Sequence, residues 1–222
     1  MSGRDKTSTQ IIKVGLWAIP LLAYLVTPSI IFPFITGKNF AFRIIVEIAF
    51  ALWLGLIVVL PQYRLRFTPL VKLATILVIV LFLADLLGPD PYNSFFSNYE
   101  RMEGFMMIFH VYLYFLMLVS VFKTRSDWVV FFHLTLVASA LVALRALGQK
   151  SGFAPAYTQE RVYSTIGNAA LLASYLSLHV WLALIYLKEF WGVWWRRLLY
   201  GGLILLLLVA IYFTGTRSVV LA

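Results

Sequence analysis

The 222-residue chain contains no cysteine, which excludes disulfides, thiolate nucleophiles and cysteine-ligated metals. Charge is scarce. Only 12% of the residues are charged, against about 25% in a soluble domain. Acids are scarcer than bases, nine to eighteen. No G-x-S-x-G, Walker loop or H-E-x-x-H occurs, so the common serine-hydrolase, P-loop and zincin chemistries are not indicated. His110, His133 and His179 share no metal-ligand spacing and lie at different depths of their apolar runs. Neither a metal nor a cofactor is expected. There is no internal repeat and no ladder of intramembrane acids that would form a proton relay.

What the chain has is hydrophobic length. Apolar residues make up 62% of it and the mean hydropathy is +0.91. Runs of about 20 apolar residues indicate membrane-spanning helices. The runs are unbroken rather than alternating, which favours an all-α bundle over a β-barrel. Seven spans are predicted, at residues 11–32, 40–60, 70–87, 105–122, 128–147, 169–187 and 198–213, with Pro20 kinking the first. The run at 11–32 is too long for a signal-peptide core and reads as an uncleaved span. The closing residues SVVLA begin an eighth run and stop. Residues 1–222 therefore read as one transmembrane domain, truncated at its C-terminus.

The net charge of +9 does not indicate nucleic acid, because the basic residues are scattered among loops between spans. They orient the chain instead. Eleven lie on the flanks shared with the N-terminus and seven on the other side, and with the acids the two sides net about +8 and +1. The N-terminus is thereby expected inside. Phe190, Trp191, Trp194 and Trp195, beside Arg196 and Arg197, read as an inner interfacial belt.

Two arginines on the outer side invite chemistry. Arg161 opens residues 161–178, RVYSTIGNAALLASYLSL, in which a Gly167–Asn168 break precedes an apolar helix. Arg217 closes the stretch TGTR. A guanidinium grips phosphate oxygens through paired N–H bonds and stays charged. A helix N-terminus nearby would add its amides. The competing reading is that both arginines snorkel to lipid headgroups. Arg101, in YERMEG, is a weaker candidate, and Glu100 and Glu103 beside it suit a helix N-terminus. Within the second span Arg43 and Glu47 are four residues apart and read as an ion pair, with Glu47, Ala51 and Gly55 on one inward face. Asp85 reads as a turn residue.

These segments resemble a known family. RVYSTIGNAALLASY from Arg161 and TGTRSVVLA from Thr214 look like the two signatures of the O-antigen ligase and polymerase superfamily. FPFITGKNFAFRIIVE from Phe32 and YERMEGF from Tyr99 look like N-terminal segments of its ligase-related members. The resemblance implies a metal-independent, multi-pass glycosyltransferase of the bacterial inner membrane. It would move a glycan from undecaprenyl diphosphate to lipid A-core, another glycan or a protein hydroxyl on the periplasmic face. Arg161 and Arg217 would bind the donor diphosphate and stabilise charge on it as it leaves. Arg101 would assist, and Gly167 and Asn168 would shape the adjoining backbone. Two departures stand out. The family's Gly-Asn is usually followed by Pro-Asn, where this chain has Ala169–Ala170. The loop bearing the family's catalytic histidine follows the second signature, so the base is expected beyond Ala222 and these residues alone are expected to be inactive. An O-antigen polymerase, a lipid-linked oligosaccharide flippase and a non-catalytic scaffold are the alternatives.

Overall fold

The computed structural model describes residues 3–98, 101, 103–156 and 161–216, side chains of residues 3–5 aside. Among them every regular element is helical. The order is α1 (Gly3–Ala18), a 3-10 helix (Ile19–Tyr24), α2 (Thr36–Val59), a short 3-10 turn (Pro61–Tyr63), α3 (Pro69–Leu87), α4 (Pro91–Phe96), α5 (Phe105–Val121), α6 (Arg125–Lys150), α7 (Ala169–Glu189) and α8 (Trp194–Phe213). Five of these, α2, α3, α6, α7 and α8, are long and apolar enough to cross a bilayer. At 1.5 Å per residue they reach roughly 28–39 Å. α5 is as apolar but has 17 residues.

The first apolar run departs from expectation. Residues 11–32 do not form one kinked helix. The α-helix stops at Ala18, tightens to 3-10 geometry through Tyr24, and residues 25–35 are irregular. Pro20 has no N–H for the carbonyl of Leu16, and its ring crowds that carbonyl. The Tyr114 hydroxyl donates to the Leu16 carbonyl instead, at 3.2 Å. Beyond it, Thr27 N–H closes on the Pro33 carbonyl at 3.0 Å. Prolines at 28 and 33 keep the backbone from re-entering a helix.

The other boundaries follow local chemistry. Thr68 caps α3 by accepting from Val71 N–H, with Pro69 at the first helical position where its missing N–H costs nothing. Asp85 is not in a turn but in the last turn of α3, which runs on to Leu87 before Gly88 and Pro89 end it. Thr124 and Asp127 form a capping box at the start of α6. Asp127 N–H donates to Thr124 Oγ1 at 3.2 Å, and the Asp127 carboxylate accepts from Thr124 N–H at 3.0 Å.

The chain divides into two compact units. The first comprises residues up to Ile19 with Thr27–Val129. In it α2 packs on α1 and α5, and α5 also packs on α3 and α4. A buried ion pair, Lys13 Nζ to Asp127 at 2.6 Å, ties α1 to the start of α6. Phe82, Phe95 and Phe105 pack ring on ring between α3, α4 and α5, with centroids 5.3–5.6 Å apart.

The second unit comprises Pro20–Val26 and the residues from Val130 on. Its core runs along the facing sides of α6, α7 and α8. Val142 and Ala146 meet Leu172, Leu176, Leu207 and Ala210 near one end. Leu136, Ala183, Tyr186 and Tyr200 meet near the other. The alanines let the helices approach closely, which is the dominant packing device where lipid and core are equally apolar.

Candidate functional site

Arg161 is where the second unit joins its parts. Its exposed side chain lies over the turn that ends α8. Nε donates to the Thr214 carbonyl at 2.7 Å, and one terminal nitrogen donates to Thr216 Oγ1 at 3.0 Å. The adjoining backbone follows, Val162 N–H donating to the Phe213 carbonyl at 3.3 Å. That places a cation on the carbonyl end of a helix, where the partial charge is negative. These bonds use two of the five guanidinium N–H donors. Among the described residues no acceptor engages the rest.

The turn is preformed. Thr214 folds its hydroxyl back onto the Ile211 carbonyl at 2.6 Å, and Thr216 N–H donates to Thr214 Oγ1 at 3.3 Å. Gly215 takes φ +62°, the left-handed conformation that a side chain disfavours. Its missing Cβ would sit 3.6 Å from Arg161 Nε, an ordinary contact, so glycine is required here by the backbone and not by space.

The loop below Arg161 is irregular backbone held from inside. Gln149, near the end of α6, accepts from Tyr163 N–H at 3.2 Å and Ser164 N–H at 2.8 Å, and donates to the Pro155 carbonyl at 3.1 Å. Ser164 stands at φ +51° and donates to the Val142 carbonyl at 2.6 Å. Thr165 donates to the Ala23 carbonyl at 2.7 Å. Gly167 takes φ +82°. Asn168 then caps α7, its Oδ1 accepting from Ala170 and Leu171 N–H at 2.8 and 3.2 Å. Ala169 is the first residue of α7, a position that proline also tolerates. Replacing the Pro-Asn of the resembled family with Ala-Ala therefore leaves the helix start intact.

Three of the sequence-nominated positions thus gather in one place: Arg161, Gly167 and Asn168, with Thr214–Thr216 beneath the guanidinium. Arg217 and Glu100 lie outside the described residues. Arg101 belongs to the first unit. Its guanidinium lies 4.5 Å from the centroid of the Phe32 ring, and its carbonyl accepts from Asn39 Nδ2 at 3.2 Å and from Arg43 at 3.3 Å.

Arg43 and Glu47 remain within electrostatic reach of each other, and each also has a partner elsewhere. Arg43 turns to the Arg101 carbonyl, while Glu47 takes His110 of α5 at 3.1 Å. His110 is buried, and the Glu47 side chain is 63% exposed rather than turned inward. Four-residue spacing keeps the Glu47 charge within reach of Arg43, and the imidazole of a neighbouring helix adds a desolvated partner. The other histidines also have hydrogen-bond partners. His133 Nε2 pairs with the Tyr200 hydroxyl at 2.7 Å, and His179 Nδ1 with the Tyr175 carbonyl at 2.7 Å. Among the described residues no cluster of three or more histidines and acids could hold a metal ion.

Gln149 is the residue that the sequence reading missed. A glutamine near a helix end, beside Lys150 and Ser151, resembles any solvated terminus. Its two bonds to backbone 14 and 15 residues later carry no sequence signal. No family model matches this chain, and neither does any curated protein or solved structure.

Proposed function

We propose that the chain binds the diphosphate of a lipid-linked glycan at Arg161, as the donor site of an O-antigen ligase-like membrane glycosyltransferase. One observation carries the reading. Arg161 and the Thr214–Thr216 turn, from two segments about fifty residues apart, meet with the guanidinium partly unsatisfied and exposed. A guanidinium fixed on two edges presents its remaining donors in one orientation, which suits bidentate contact with a phosphate. As the glycan departs to its acceptor, negative charge grows on the leaving diphosphate, and a preoriented cation stabilises it without reorganising. Arg217 follows the turn directly in sequence and would supply the second cation. Lipid A-core, another glycan or a protein hydroxyl would accept the glycan, so ligase and polymerase share this donor step.

In this reading the chain crosses the bacterial inner membrane seven times. α5 and the α1 segment with its 3-10 extension add to the five long helices, the N-terminus is cytoplasmic, and Arg161 faces the periplasm. Binding is the property to measure, because the proposed role of Arg161 is to hold the donor.

The test is photo-crosslinking of the full chain in liposomes with a photoreactive undecaprenyl diphosphate analogue. Charge-assisted hydrogen bonds of about 1.5–3 kcal/mol predict a loss of labelling of roughly 10–100-fold for Arg161→Ala. Arg161→Lys should fall between, since an ammonium keeps the charge but not the fork. Labelling of Arg161→Ala equal to wild type would refute the site.

A further inference from the structure

The turn joining α7 to α8, at the other end of those helices from Arg161, carries Lys188, Arg196 and Arg197 against one acid, Glu189. Both guanidiniums lie over aromatic rings. Arg196 is 4.4 Å from the centroid of Phe190 and 5.0 Å from that of Trp195, and Arg197 is 5.4 Å from that of Trp191. The platform beneath them is rigid. Phe190 stacks on Tyr186 and Tyr200 with interplanar angles of 7° and 12°, and the Tyr200 hydroxyl is bonded to His133 of α6. Three indoles surround the cations and remain open, Trp191 at 59%, Trp194 at 67% and Trp195 at 50% exposure.

Exposed indoles flanking two spanning helices sit at headgroup level, where one edge of the ring is wet and the other apolar. The indoles therefore fix the depth of Arg196 and Arg197 at the phosphates of the leaflet. A guanidinium over a ring face still has its N–H edge available to an oxyanion. The first turn of α8 adds the positive end of its dipole, with no side-chain cap at Val193 to satisfy its amides.

We propose that this turn is a binding site for the headgroup of an anionic phospholipid, its phosphate held by Arg196 and Arg197 and its glycerol and upper chains covered by Trp191, Trp194 and Trp195. A zwitterionic lipid leaves the net charge of the turn uncompensated. A soluble anion gains nothing from the three indoles. The site is independent of donor binding at Arg161.

Native mass spectrometry of the full chain in detergent, titrated with phosphatidylglycerol or phosphatidylcholine, tests it. Wild type should retain phosphatidylglycerol preferentially. The pair Arg196→Gln, Arg197→Gln should bind it about 25-fold more weakly, at about fivefold per interfacial cation. The pair Lys123→Gln, Arg125→Gln, at another loop, should bind as wild type. Equal retention of the two lipids by wild type, an unchanged preference in the Arg196/Arg197 pair, or an equal loss in the Lys123/Arg125 pair would overturn the proposal. So would displacement of the lipid by inorganic phosphate at the same concentration. Should the Arg196/Arg197 pair fail to fold, the salt response of wild type decides: the preference must weaken as sodium chloride rises, and a salt-independent preference refutes the site.

Discussion

Gln149→Met removes the side chain that accepts from the backbone N–H groups of Tyr163 and Ser164. Methionine keeps the length and flexibility of glutamine and loses its polar atoms. Both N–H groups are deep: Tyr163 is 8% exposed and Ser164 0%. An orphaned buried donor costs about 1–3 kcal/mol, so the Ser164 N–H alone sets a loss of that size, with the Pro155 carbonyl released in addition. The penalty falls first on the loop, because the helices on either side keep their own hydrogen bonds. Hydrogen exchange followed by mass spectrometry, on the purified chain in detergent, reads it directly. Amides of residues 162–167 should exchange ~30-fold faster, the factor that about 2 kcal/mol implies, while those in the middle of α7 hold. Gln149→Glu restores an acceptor and should recover most of the protection. Wild-type protection in Gln149→Met would refute the clamp. Equal loss in both variants would refute the assignment of the effect to the acceptor.

Gly167→Ala forces a Cβ into the left-handed region at φ +82°, which costs about 1–2 kcal/mol; the unfolding midpoint should fall by a few degrees, and an unchanged midpoint would mean that the loop has another conformation. Asp127→Ala strands Lys13 in a mostly buried site and removes the acceptor for Lys123 and Thr124 N–H at 3.0 Å. Breaking a buried pair from one side costs about 3–5 kcal/mol, so chemical denaturation of Asp127→Ala should show a loss of that size. Lys13→Met together with Asp127→Asn should recover part of it.

The parts of the fold that were legible were those written locally. An apolar run of about 20 residues between polar turns admits one physical outcome in a bilayer, and α2, α3, α6, α7 and α8 follow it. The first run failed because hydropathy counts residues and ignores backbone donors: Ile11 to Phe32 is apolar enough, but prolines at 20 and 28 deny it a continuous hydrogen-bond ladder. The capping box at Thr124 and Asp127 is likewise written locally, as threonine followed three residues later by an acid just ahead of an apolar run. Glu47 shows the limit of spacing arguments. Arg43 four residues away is within reach of its charge, but the helix is not isolated, and His110, 63 positions later, is the residue that hydrogen-bonds the carboxylate. The Arg161 contact with Thr214 and Thr216 was not legible, since nothing local in either segment names the other.

The loop at 161–168 explains why its polar residues are arranged as they are. Irregular backbone near membrane depth is tolerated only where protein satisfies its N–H and C=O groups. Here Gln149 reaches in from α6, Ser164 reaches back to α6, and Thr165 reaches the carbonyl of Ala23. All three contacts point inward, and Ser164 and Thr165 are fully buried. Arg161 points out, onto the end of α8. A flexible loop would let a bare guanidinium collapse onto the nearest lipid phosphate. A loop closed on its inner side by three hydrogen-bonding side chains fixes where the charge sits before any ligand arrives. That is the physical distinction between a snorkelling arginine and one that can recognise a diphosphate. It makes Gln149 the residue to change when asking which of the two Arg161 is: loosening the loop through Gln149 should weaken binding of a lipid diphosphate even though Arg161 itself is untouched, whereas mere headgroup attraction would survive.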